Sequence, residues 1–287
     1  MWEKIVKIND PYNFDRALER LSLDPLQAVD PLSRTVKIPI YDKQPGVAVI
    51  TATGTTEKPE FRIQGGNADI AQMVEKRIFH LFQWDTDIAG ISQHFTGTAL
   101  EPLFKEHRGT PFVLDFSPYA CLIKCIIHQQ LNMKFAHTLT ERFVYNFGFQ
   151  KDGVWFYPST EKTAALQVTD LRALQFSERK AEYVIGLSRL VASGELDLAE
   201  LEKKPDEEIL KTLVKIRGIG PWTVQNFLMF GLGRLNHFPK ADIGIQKALK
   251  KLFQLEKKPT YEEMDAYAKD WEPYLSYASL YLWRTIE

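Results

Sequence analysis

One short run constrains this chain more than any other: Arg217-Gly218-Ile219-Gly220-Pro221, set between two stretches of helical periodicity. Upstream, Pro205 opens a segment with acids at Asp206, Glu207 and Glu208 and with Lys211 and Lys215 towards its end, a polarity that complements a helix dipole at both ends. Ile209, Leu210, Leu213, Val214 and Ile216 form its apolar face. Downstream, Pro221 holds the first-turn position that proline prefers; Val224, Phe227, Leu228 and Phe230 are there to be buried, and Gly231 ends the segment. Residues 205–232 therefore read as helix, glycine hairpin, helix. Two glycines permit positive φ and the close approach of another backbone. The turn amides and the start of the second helix can hold a phosphate with no basic side chain. A tight corner between helices with no ligand satisfies the same pattern.

Charge decides how such a hairpin would be used. Lys and Arg number 36 against 37 Asp and Glu, a net charge of −1. A polybasic surface is thereby excluded, and any nucleic-acid site must be local, built from a few cations and backbone amides. With 45% hydrophobic and 25% charged residues the chain is an ordinary globular one, and 287 residues suggest two packed units. Cys121 and Cys125 are too few for a disulfide scaffold and, four apart on one helix, read as small buried residues. His107, His137 and His237 show no metal spacing, so no metal is expected; His128 reads as a surface or loop residue. No window approaches the ~20 uncharged apolar residues of a membrane span, and the first residues lack a signal peptide's apolar core. The expectation is a soluble cytoplasmic protein with no membrane partner.

The first hundred residues differ from the rest. Arg34–Tyr41, Gly46–Thr53 and Glu60–Gln64 alternate or are rich in β-branched residues and are separated by turn signals, as in a small antiparallel sheet. Asn67 reads as the cap of a helix running to about Phe82. From about Asp87 onward the periods are nearly all helical, beginning with Ser117-Pro118, a cap followed by proline. The reading is mainly α with an α+β N-terminal domain: residues 1–110 form the sheet unit and residues 111–287 a helical region holding the hairpin at 205–232.

Asp242 follows the hairpin in Phe238-Pro239-Lys240-Ala241-Asp242-Ile243-Gly244, at the start of a helix with Ile245, Ala248, Leu249 and Leu252 inward. Alone it would read as a helix cap. In order, however, LVKIRGIGPWTVQNFLMFGL and FPKADIGIQKAL resemble the helix-hairpin-helix, Gly/Pro-rich loop and aspartate signature of base-excision DNA glycosylases, and within them the DNA-3-methyladenine glycosylase II (alkylbase) family. Pro11-Tyr12-Asn13-Phe14 resembles that family's opening, Ile126-Ile127-His128-Gln129-Gln130-Leu131 its early helix-to-loop segment, and Trp271-Glu272-Pro273-Tyr274, Ser276-Tyr277-Ala278 and Leu282-Trp283 its C-terminal helix. The likeness covers nearly the whole chain and implies a helix-hairpin-helix DNA glycosylase fold.

The resemblance also implies roles. Asp242 becomes the carboxylate that stabilises cationic sugar character as an N-glycosidic bond breaks. The damaged base, inaccessible in double-stranded DNA, must be flipped into an aromatic pocket, with Trp222, Trp283, Tyr277 and Tyr281 as candidates; Tyr281 reads better as packing. An electron-rich pocket suits purines made cationic by alkylation. Either Gln130 or Leu131 fills the gap left in the duplex, and the family's best-known member has leucine where Gln130 stands. Gly218, Ile219 and Gly220 would contact phosphates, with Arg217 and Lys240 as helpers. A monovalent cation held by carbonyls around Ile216 and Ile219 is the only cofactor implied. The lysine of strand-cleaving relatives is replaced two positions after Gly220 by Trp222, so the expected activity is monofunctional excision by a monomer. The alternatives are an oxidised-purine glycosylase/lyase and a non-catalytic DNA-binding module.

Overall fold

The computed structural model describes residues 1–286. The N-terminal part contains β1 (Trp2–Lys7), α1 (Phe14–Ser22), β2 (Ala28–Asp30), β3 (Thr35–Ile40), β4 (Gly46–Ala52), β5 (Glu60–Gly65), α2 (Ala71–Leu81), α3 (Ile88–His94) and α4 (Glu101–Glu106). The five strands form one antiparallel sheet in the order β1-β5-β4-β3-β2. In β3 the alternation of Val36 and Ile38 is the signal realised: both are buried against the helices, while Lys37 between them faces out. The helix after the sheet starts at Ala71 rather than at Asn67, because the Asn67 side chain instead closes a turn on the amide of Asp69 at 2.9 Å.

The central helices are α5 (Pro118–His128), α6 (Met133–Phe147), α7 (Thr160–Ala164), α8 (Val168–Ala173), α9 (Glu178–Ala192), α10 (Leu198–Glu202) and α11 (Asp206–Leu213). Ser117 caps α5 through the amide of Ala120, as its pairing with Pro118 leads one to expect. A strand pair, β6 (Phe149–Lys151) and β7 (Val154–Phe156), interrupts this helical run; its turn is Asp152-Gly153, both at positive φ. The hairpin then leads into α12 (Pro221–Asn226), a π-helical turn over Phe227–Gly231, α13 (Ile243–Leu252), α14 (Tyr261–Ala268), a 3₁₀ turn at Lys269–Trp271 and α15 (Leu275–Trp283). Among the described residues no helix is long and apolar enough to cross a membrane.

Two hydrophobic cores divide the molecule, and the division does not follow chain order. One joins the sheet and its helices to Met229, Phe238 and buried residues of α13, α14 and α15. The other is built from α5, α6, α8, α9, α11, α12 and the start of the π turn. The C-terminal helices thus return to the N-terminal sheet. Phe230 is the one partly buried residue, among those described, that packs against both cores. It marks the seam between the two cores.

Candidate active site and nucleic-acid interface

Asp242 stands at this seam as the N-cap of α13. Its Oδ1 accepts the amide of Ile245 at 3.0 Å and the indole Nε1–H of Trp283 at 3.0 Å. The cap alone is what sequence predicts; the second donor makes the aspartate more than a cap. Both bonds fall on one oxygen, so Oδ1 is fixed and Oδ2 carries no hydrogen bond among the described residues. Gly244 allows this geometry: a Cβ there would lie 2.9 Å from Asp242 Oδ1 and 3.0 Å from the Trp283 ring. The side chain at 244 must be absent for the indole to reach the carboxylate.

Aromatic rings extend from this pair. The Trp283 ring lies 5.8 Å from that of Phe230, which stacks on Phe112 at 5.0 Å. The π turn contributes here. Leu232 N–H bonds to Phe227 O, five residues back, and the wider turn changes the direction in which Phe230 projects relative to a plain α-helix. Arg20 of α1 lies over the Phe230 ring, its Cζ 4.2 Å from the centroid. Arg284, next to Trp283, donates to the carbonyl of Arg16 at 3.3 Å and pairs with Glu19 at 3.4 Å, clasping α1 to the end of α15. Beneath Phe230, whose carbonyl accepts the Asp115 amide at 2.7 Å, Asp115 forms a buried ion pair with Lys124. Burial pushes the Asp115 carboxyl up, but the charge and hydrogen bond of Lys124, with Cys121 and Arg20 adding to them, hold it below the usual carboxylate range.

Two of the candidate pocket residues lie in the core instead. Tyr277 and Tyr281 are fully buried, at 0% exposure each. Tyr281 stacks on Phe104 at 3.8 Å and its hydroxyl reaches the carbonyl of Thr110, while Tyr277 lies beside Phe112. Residues 276 to 282 of α15 are all buried, so this helix has no polar face and its tyrosines are core. Trp222 is half-buried on α12 and makes no ring contact with Trp283 or Phe230 among the described residues. Arg20 and Phe230 were not expected in the site; they meet only through tertiary structure.

The hairpin divides its two glycines between different tasks. Gly218 has φ +93, and a Cβ there would lie 2.2 Å from the Tyr183 ring, so both backbone and packing demand glycine. Gly220 is extended at φ −105 and has open space around it. The expectation of positive φ therefore holds for one glycine only. Ile219 is buried between them. Open space at Gly220, next to the first-turn amides of α12 that a helix cannot satisfy itself, is where a phosphate can approach. Arg217 is exposed but pairs with Glu182 at 2.9 Å. Lys240 is committed elsewhere: its amine bridges both oxygens of Asp265 at 2.7 and 2.8 Å and lies 5.6 Å from the Tyr261 ring centroid.

The loop after α5 docks onto the hairpin. Gln129 donates to the Gly218 carbonyl at 2.8 Å and to Thr223 Oγ1 at 2.9 Å. The Lys180 amine donates to the carbonyls of Ile127 and Gln129, and burial pushes it down to about 8. Between these anchors Gln130 is exposed with φ +56, whereas Leu131 packs against the second core. Of the two candidate wedges, Gln130 is the one presented to solvent. His128 is not the surface residue its position suggests. It bonds Thr140 Oγ1 at 3.1 Å, and burial, then the charges of Lys124, His137 and Lys180, push its imidazole down to about 3.

Comparisons with known proteins identify the family and the fold. Residues 123–273 match the family model of the HhH-GPD superfamily base excision DNA repair protein. The chain is 56% identical to the Bacillus subtilis (strain 168) protein named "Putative DNA-3-methyladenine glycosylase YfjP", over the full length of both. A solved 3-methyladenine DNA-glycosylase from Archaeoglobus fulgidus superposes with a TM-score of 0.86, at 22% identity, over 99% of this chain and 98% of that one, a likeness of fold. The Schizosaccharomyces pombe 3-methyladenine DNA glycosylase Mag1, solved in complex with abasic DNA, is 28% identical with a TM-score of 0.60, covering 68% of this chain and 96% of its own.

Proposed function

The chain belongs to the HhH-GPD superfamily of base excision DNA repair proteins, and on that footing we propose that it is a monofunctional DNA glycosylase. It flips alkylated purines, 3-methyladenine among them, out of double-stranded DNA and hydrolyses their N-glycosidic bonds. The observation that carries this reading is the carboxylate of Asp242, pinned through one oxygen by Trp283 and Ile245 beside the Trp283–Phe230 ring pair.

The chemistry follows from that pair. As the bond to the base lengthens, positive charge develops on the sugar, and a fixed carboxylate stabilises it without reorganising. With Oδ1 held, Oδ2 is the oxygen that meets the sugar or orients the attacking water. An alkylated purine leaves as a neutral base, so the site needs no separate acid. Flipping costs a few kcal/mol; the hairpin amides around Gly220 hold the backbone while Gln130 enters the vacated stack and offers its amide to the orphaned base. The hairpin contacts fall on phosphates and read no sequence.

The absence of a nucleophilic amine supports hydrolysis over strand cleavage. Trp222 stands two positions after Gly220, and Lys240 is held by Asp265. A monovalent cation at the hairpin fits the residues present through backbone oxygens alone: the Ile216 carbonyl accepts the Ile219 amide at 3.0 Å and keeps a second lone pair. Such an ion would stiffen the turn, and no chemical step depends on it. The working form in this reading is a monomer acting on DNA in the cytoplasm.

The test is release of free bases from methylated double-stranded DNA, with borohydride added in parallel. The reading expects 3-methyladenine in the supernatant and no trapped protein–DNA adduct. A covalent adduct lost in Lys240→Ala would assign the protein to the lyase branch, and no released base would remove the glycosylase assignment.

A further inference from the structure

The first two turns of α9 touch both the hairpin and the loop that ends α5. Towards the hairpin, Glu182 pairs with Arg217 at 2.9 Å, and the Tyr183 ring lies 2.2 Å from where a Cβ on Gly218 would stand. Towards the loop, the Lys180 amine donates to the carbonyls of Ile127 and Gln129, the latter at 2.6 Å. The last turn of a helix leaves carbonyls without a helical donor and carries the negative end of its dipole, so an ammonium suits that place. What lies next to this grip gives it consequence. Gln130 has φ +56, in the left-handed region that a side chain occupies at a cost and keeps only when its surroundings over-determine it. Two peptide planes flank Gln130, and both are held. The plane before it contains the Gln129 carbonyl, gripped by Lys180; the plane after it contains the Leu131 amide, which donates to the His128 carbonyl at 3.3 Å. Leu131 packs against the second core, and the Gln129 side chain is anchored on Gly218 and Thr223 of the hairpin motif. Of residues 127–131, Gln130 is the one left exposed.

We infer that Lys180 is a positioning residue for strand insertion: by gripping the Gln129 carbonyl it fixes Gln130 in its presented conformation, from the same helix that seats the hairpin. This rests on the reading of Gln130 as the side chain that enters the vacated stack, and it names the residue that readies it. A loop held in its working conformation spares insertion the entropy of ordering it at that moment. Because α9 also seats Gly218 through Tyr183, hairpin and wedge keep one spacing, and a duplex gripped at the hairpin meets Gln130 at a set distance. The two anchors of the loop divide the work. The Gln129 side chain serves the hairpin, whereas Lys180 acts on the backbone beside Gln130 and leaves the Gln129 bonds to Gly218 and Thr223 in place. Loss of Lys180 is therefore a loss of insertion and not of general DNA affinity. An arginine can replace it in part, since it also brings several donors and a fixed charge to the two carbonyls.

The experiment follows insertion as the stopped-flow fluorescence rise of a 2-aminopurine beside an abasic-site analogue in a duplex, and binding to the undamaged duplex in parallel. Wild type is compared with Lys180→Met, Lys180→Arg, Gln130→Ala and the double variant Lys180→Met with Gln130→Ala. Lys180→Met should slow the fluorescence rise about tenfold, the loss expected for charged hydrogen bonds, while affinity for undamaged duplex stays within about twofold of wild type. Lys180→Arg should recover most of the rate. The double variant should be no slower than Gln130→Ala alone, because a residue that acts through Gln130 has nothing left to act on. A merely structural role would instead slow the double variant by the same further factor and weaken undamaged binding as well, and either result overturns the inference. So does a Lys180→Met protein with wild-type insertion. If Lys180→Met does not fold, Lys180→Gln takes its place in the same comparison and decides. A Gln130→Ala protein with an unchanged fluorescence rise removes the wedge reading itself, and the inference with it.

Discussion

The indole N–H of Trp283 donates to Oδ1 of Asp242 at 3.0 Å, joining residues 41 positions apart in the chain. This bond makes Trp283 an orienting group as well as an aromatic wall. A hydrogen bond to a charged acceptor contributes about 1.5–3 kcal/mol. Trp283→Phe keeps a ring beside Phe230 and removes only the donor, so base excision should slow about 10- to 100-fold with little change in melting temperature. Single-turnover rates on methylated DNA check this, and a full-speed Trp283→Phe enzyme would assign the indole to packing alone.

The two hairpin glycines should fail differently. Gly218 is required by its φ of +93 and by the Tyr183 ring, so Gly218→Ala should lower stability by more than ~1 kcal/mol, a melting shift of at least about 2–4 °C. Gly220 has open space, so Gly220→Val should melt normally yet bind every DNA sequence more weakly, because it obstructs a phosphate and no base. Thermal melts paired with binding to several unrelated duplexes separate the two cases.

Adjacent glutamines should separate in the same way. Gln130→Ala removes an exposed side chain and should impair flipping, read as the fluorescence of a 2-aminopurine beside the lesion, with the melting temperature unchanged. Gln129→Ala removes bonds to Gly218 O and Thr223 Oγ1, and should weaken binding even to undamaged DNA by loosening the hairpin.

His128 supplies a pH prediction. Its folded imidazole, pushed down to about 3, stays neutral where the unfolded one, near 6.5, gains a proton. Its contribution is therefore complete above pH 6.5 and is lost as pH falls from there towards 3, at about 1.4 kcal/mol per pH unit when fully expressed. Unfolding free energies measured from pH 7 to pH 4 should fall less steeply in His128→Gln than in wild type. Parallel slopes would mean that His128 takes up its proton in the folded state.

How much of this was legible in the sequence depends on the range of the interaction. Local signals were carried well: Ser117-Pro118 starts α5, the alternation of Val36 and Ile38 makes a buried strand face, and the glycines and Pro221 mark the hairpin. The β6–β7 pair was missed although Asp152-Gly153 between short apolar runs is a hairpin signal, since helical periods on both sides hid three-residue strands. Tyr277 reads as a pocket residue by motif and Tyr281 as packing; both are core, because residues 276 to 282 of α15 are buried on every side. Arg20 and Phe230 had no shared signal. They lie 210 positions apart (230 − 20), and the π turn that carries Phe230 breaks the 3.6-residue period by which its direction could be read. Asp242 was visible locally only as a cap; its second donor, Trp283, arrives from the far end of the chain.

The central claim is that the carboxylate of Asp242 performs the chemistry, and Asp242→Asn tests it most directly. Asparagine keeps an oxygen able to cap α13 and accept from Trp283, so the fold and the affinity for an abasic-site analogue should be nearly those of wild type. Single-turnover release of 3-methyladenine should fall by at least about 100-fold, since loss of one fixed electrostatic partner of a transition state costs on the order of 10²–10³ in rate. A folded Asp242→Asn protein that binds the analogue and still excises at close to the wild-type rate would contradict the account.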